Sequence, residues 1–87
     1  MKRNKSIHNK RYSDLVDKLC RERKRLGLTQ KEVATHLNMT QSEISKVETC
    51  ERRLDVLEFK ELLTIYRSNE NLKLKAYVIE FFELEQT

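Results

Sequence analysis

The chain has no proline, no tryptophan and one glycine, Gly27, in 87 residues. Folds built from many short strands need far more turn residues, so this scarcity speaks against sandwiches and barrels. Two cysteines, Cys20 and Cys50, are too few for a disulfide framework. With His8 and His36 they show no zinc-site spacing, so reduced thiols and no metal are expected. No stretch approaches the roughly 18 apolar residues of a membrane span. The basic start, Met1 to Lys5, is not followed by the apolar run of a secretory leader. A cytoplasmic protein without a membrane partner is expected. There is no Gly-rich phosphate loop, and neither histidine has an evident Asp, Cys or Ser partner set. The reading is therefore no enzyme, no catalytic residue, no cofactor and no small-molecule ligand.

What is present favours helices. Charged residues make up 37% of the chain, and its length allows one domain with a small, local core. The net charge of +4 is unevenly spread. Residues 1–25 carry +7, residues 26–53 are neutral, and residues 54–87 carry −3. A basic front and an acidic back suit a protein that turns one side to a polyanion, although a merely solvated surface would also fit.

Residues 1–12 read as a basic N-terminal arm. A first helix is expected from Ser13 as N-cap, with Asp14 and Asp17 in its first turn. Its apolar stripe runs Leu15, Val16, Leu19, Cys20, Leu26, with Arg23 on the same face. Gly27 follows as a left-handed C-cap. The same start signal then occurs three times. Thr29 with Glu32, Thr40 with Glu43 and Asp55 with Glu58 each place a capping oxygen three residues before a carboxylate. Each also has an apolar staple: Leu28 to Val33, Met39 to Ile44, and Leu54 to Phe59. Helices are thus expected from about residues 30, 41 and 56, with a sharp turn at Asn38 between the first two. The last of the three should run to about Arg67 with Leu57, Leu62, Leu63 and Ile65 in the core, closing a four-helix core over residues 13–67. After a polar break at 68–71, residues 72–84 read as a final helix. The alternation Leu72-Lys73-Leu74-Lys75 and the β-branched Val78-Ile79 would also suit a strand.

Two short helices around the turn at Asn38 make a helix-turn-helix. On the second, Ile44 and Val47 point one way, and Gln41, Ser42, Ser45, Lys46 and Thr49 the other. That outward set is polar and nearly free of acid. Gln pairs with adenine, Lys with guanine or phosphate, and Ser with several partners. An ordinary wetted face is the bland alternative. Gln30 opens the preceding helix, where free N–H groups attract phosphate.

Residues 15–63 resemble the lambda-repressor-like, Cro/CI-type helix-turn-helix family. The resemblance rests on residues 21–34 (RERKRLGLTQKEVA), 38–48 (NMTQSEISKVE) and 51–58 (ERRLDVLE). It implies an all-α, compact five-helix domain that binds duplex DNA as a homodimer on a palindromic operator. By position it implies that Gln41, Ser42, Ser45 and Lys46 face bases. Gln30, Thr40, Thr49, Arg52 and Arg53 would face phosphates. Arg23 and Glu48 would form an ion pair joining the first helix to the end of the third, in keeping with a charge on the core stripe that needs a partner. Two places depart from the family pattern: Cys50 stands where glycine is usual, and Tyr66-Arg67-Ser68-Asn69 replaces an apolar-glycine helix end.

The expected function is sequence-specific transcriptional regulation, of the phage-repressor, antitoxin or restriction–modification controller kind. The alternative is a protein-interaction module that uses the fold without DNA readout. Residues 72–84 carry more apolar surface than one face of a short helix can bury. They are expected to form the dimer interface around Val78, Phe81 and Phe82, the alternative being a cap on the monomer core.

Overall fold

The computed structural model describes residues 9–83. It is built from five α-helices: α1 (Lys10–Arg25), α2 (Gln30–Leu37), α3 (Gln41–Glu48), α4 (Val56–Ile65) and α5 (Leu72–Phe81). A 3₁₀ turn, Ser68–Glu70, joins the last two.

Each helix start has a local cause. Thr29, Thr40 and Asp55 each accept the N–H three residues on, and Glu32, Glu43 and Glu58 return the bond to the cap's own N–H. Two orphan donors are satisfied at each start. The first helix begins earlier than Ser13. Asn9 is its N-cap and accepts from the Tyr12 N–H at 3.1 Å, while the Ser13 hydroxyl donates back to the Lys10 carbonyl from inside the helix. Residues 10–12 of the expected arm are therefore helical, and residues 1–8 lie outside the described part. Asp14 and Asp17 consequently sit beyond the first turn, where they pair at i,i+4 with Lys10 (3.2 Å) and Arg21 (2.9 Å).

The helix ends share one device. After α1, the Gly27 N–H donates to the Lys24 carbonyl and the Leu28 N–H to that of Arg23. This double bond needs a left-handed residue, which Gly27 supplies at φ 75°. Asn38 at φ 58°, Cys50 at 65° and Arg67 at 52° take the same conformation after α2, α3 and α4. The last stands at the expected helix end itself, and α4 stops two residues before it, at Ile65.

The core is formed by Leu15 and Leu19 of α1, Val33, Ala34 and Leu37 of α2, Ile44 of α3, Leu62 of α4 and Leu74 of α5. Tyr66, just past α4, is 1% exposed and lies in the same cluster. Leu57 is not core as expected, being 70% exposed. The α4 stripe that faces inward runs Phe59, Leu62, Leu63 and Tyr66, and Leu57 stands about 140° from Leu62 around the helix. The final segment is a helix and not a strand. It ends at Phe81, short of the expected residue 84, and residues 84–87 lie outside the described part.

Candidate nucleic-acid interface

The turn between α2 and α3 is three residues long, Asn38, Met39 and Thr40. The left-handed Asn38 reverses the chain, and the half-buried Met39 packs on the core. The Thr40 capping box then fixes where α3 begins, at 3.1 Å from the Glu43 N–H to the Thr40 hydroxyl and 2.9 Å from the Thr40 N–H to the Glu43 carboxylate.

With the start fixed, the two faces of α3 follow from its periodicity. Ile44 and Val47 are buried. Gln41, Ser42, Lys46 and Thr49 are exposed, and Ser45 is half-buried. Thr49 turns its hydroxyl back onto the Ser45 and Lys46 carbonyls and the Glu51 carboxylate. Thr40 is exposed, with its oxygen engaged at the cap.

Glu48 ties the far end of α3 to the rest of the domain. Arg23 donates to it twice, from Nε at 2.7 Å and Nη2 at 3.0 Å, and from Nη1 to the Leu28 carbonyl at 2.8 Å. The two side chains are 9% and 11% exposed. The Gln30 amide donates to the same carboxylate at 2.8 Å, and the Cys20 thiol at 3.5 Å. Burial pushes the Glu48 carboxyl up, but the hydrogen bonds from Arg23 and Gln30 and the Arg23 charge outweigh it, so the group lies below the usual carboxylate range. Burial and the Glu48 charge push the neighbouring Cys20 thiol up, which keeps it a neutral donor. Gln30 is thus anchored to Glu48 at the mouth of α2. One hydrogen of its amide is committed there and the other remains for a second acceptor.

The loop after α3 treats its two arginines differently. Arg52 forks onto Glu58 with two bonds of 2.9 Å and also meets the Arg53 carbonyl. Glu58 therefore serves both as the α4 capping carboxylate and as the Arg52 partner, and those bonds hold it below its ordinary range. Arg53 is exposed, and its guanidinium lies 5.5 Å from the ring centroid of Tyr12, whose hydroxyl takes the Leu54 N–H at 3.3 Å. Sequence reasoning did not foresee the Gln30–Glu48 bond, the second role of Glu58 or the Tyr12 platform. The Glu58 role had a faint signal, an arginine just before a capping box; the other two depend on how the helices pack.

A short helix, a tight turn and a second helix whose polar face stands clear of the core define a helix-turn-helix domain of the DNA-binding class. The helix-turn-helix family matches residues 20–71, and the chain belongs to this lambda-repressor-like family of DNA-binding regulators. A search of curated proteins gives no match.

Proposed function

We propose that the domain is a sequence-specific transcriptional regulator of the repressor, antitoxin or controller kind, which lays α3 in the major groove of duplex DNA. The observation that carries this reading is the outward face of α3. Gln41, Ser42 and Lys46 are solvent-exposed on a helix that four separate contacts to Glu48 and two to the Thr40 cap hold in place. Side chains on a fixed helix can meet base edges at defined positions. Ser45 would join them at closer range. Around this reader, Gln30, Thr40, Thr49 and Arg53 face phosphates, with Arg53 the strongest because it holds no carboxylate within 4.0 Å among the described residues. Arg52 contributes less, since Glu58 neutralises it.

The domain would act as a homodimer on a palindromic site, joined through Val78, Phe81 and Phe82 of α5. Support comes from Phe82, 56% exposed at the tip of α5, edge-on to Phe81 at 5.1 Å and 5.6 Å from Phe59. Leu72 and Ile79, on the same side of the helix, are 75% and 62% exposed, and an apolar patch of this kind suits an interface. Selection from a random duplex library is the test. Enrichment of one motif with two-fold symmetry and half-sites about one helical turn apart is expected. A library that emerges without any enriched motif would refute sequence-specific readout.

A further inference from the structure

A second cationic surface lies on the side of α1 turned away from α3. Lys18, Arg21 and Arg25 recur at spacings of three and four and form one stripe. That stripe stands roughly 160° around the helix from Cys20 and Arg23, the residues that reach Glu48. Lys73 and Tyr77 of α5 supply the opposite wall, and the open cleft between them has a volume of about 480 Å³.

The walls are locked together from below. Glu22 is buried, and its carboxylate takes two bonds from Arg25 at 2.8 and 2.7 Å and one from the Asn71 amide at 3.0 Å. Arg21 is paired with the exposed Asp17 at 2.9 Å. Lys18 and Lys73 have no carboxylate within 4.0 Å among the described residues. The Lys18 ammonium instead sits 4.8 Å from the Tyr77 ring centroid. The cleft therefore keeps an excess of positive charge next to an aromatic ring.

We propose that this cleft binds an acidic segment of a partner protein, with carboxylates on Lys18 and Lys73 and an apolar side chain against Tyr77. Duplex DNA fits it less well. The cleft lies on the side of α1 turned away from Arg23, Glu48 and α3, so a domain that lays α3 in the groove holds it off the phosphate backbone. The proposal rests on the DNA reading only for its direction: a domain with α3 in the groove presents this cleft away from the duplex, where a bound regulator can recruit or be held by another protein.

The test is fluorescence anisotropy of a labelled peptide in which glutamates flank a phenylalanine, titrated at low salt with the whole chain. Saturable binding is expected, weakened at least about tenfold by the double variant Lys18→Glu with Lys73→Glu. The milder Lys18→Gln with Lys73→Gln should weaken it in the same direction, and an excess of selected duplex should not displace the peptide. Both positions are exposed, so thermal melts of the variants should match the parent. No saturable binding, or equal binding by the double variant, would overturn the proposal. So would displacement of the peptide by duplex, which would place it on α3. A double variant that loses duplex affinity as strongly as peptide affinity would make the cleft a nucleic-acid contact instead. Duplex binding of the parent chain, measured separately, tells failure of this proposal from failure of the DNA reading.

Discussion

At the scale of single residues, Glu48 carries more of the site than any side chain that would touch DNA. Its carboxylate is nearly buried and takes bonds from Arg23, Gln30 and Cys20, so removing the charge on either side leaves a charge without its partner. Arg23→Met or Glu48→Leu alone should each cost about 3–5 kcal/mol in thermal melts, and the double change should recover much of that loss. Both singles behaving as the parent would contradict the burial of the pair. The pH dependence has a definite sign. Glu48 lies below the ordinary carboxylate range when folded, so its stabilisation is present above about pH 4.3 and is lost as pH falls through the lower folded value. Denaturant titrations of Glu48→Gln should show a shallower fall in stability below about pH 4.3 than the parent. Cys50 offers an opposite case. It holds φ 65° where a side chain is strained by roughly 1–2 kcal/mol, against about 0.4–1 kcal/mol of extra chain entropy for glycine. Cys50→Gly should therefore stabilise the domain by about 0.5 kcal/mol, and a lower melting temperature would contradict this.

At the scale of elements, the capping boxes place the helix-turn-helix. Thr40→Ala removes the acceptor for the Glu43 N–H and should cost about 1 kcal/mol in denaturant unfolding, with fraying of the first turn of α3, where Gln41 and Ser42 sit. A neutral effect would mean that packing alone fixes α3. These starts were legible in the sequence because a cap and its carboxylate are three residues apart and need no tertiary information. The αL residues Gly27 and Asn38 were legible from their types. Cys50 and Arg67 were not legible from type, because neither favours positive φ and the surrounding packing imposes it; only the family resemblance marked the place of Cys50, as one where glycine is usual. The start of α1 was misplaced for a related reason. Asn9 and Ser13 are both good caps, and the choice falls to Asn9 because the first turn is held by Tyr12 on the Leu54 N–H and Arg11 over the Phe81 ring at 5.8 Å, partners far off in sequence. Leu57 was assigned to the core by hydrophobicity, where the register of α4 turns it to solvent.

At the scale of the whole molecule, the residues proposed to read DNA lie on one short helix, and their types and spacing marked them in the sequence. Of their support, the Arg23–Glu48 pair was expected from the family resemblance, whereas the Gln30 and Cys20 bonds to the same carboxylate were not, since they depend on how α1, α2 and α3 pack. The Glu22–Asn71 bond, 49 residues apart, likewise becomes visible only in the folded chain. The exposed apolar groups on α5 lead to an expectation about assembly. Phe82→Glu should keep the helical spectrum and lower the dimer fraction in analytical ultracentrifugation, and a parent chain that stays monomeric at tens of micromolar would refute the α5 interface. The central claim is that α3 reads base edges. The most direct measurement is the ratio of affinities for the selected site and for a random duplex, in the parent chain and in Gln41→Ala, at one fixed salt concentration. Gln41→Ala should weaken the selected site by about 1–3 kcal/mol while random-duplex affinity barely changes, so the ratio collapses. An equal loss on both duplexes, or none on either, would show that Gln41 is not a base-reading residue and would contradict the placement of α3 in the groove.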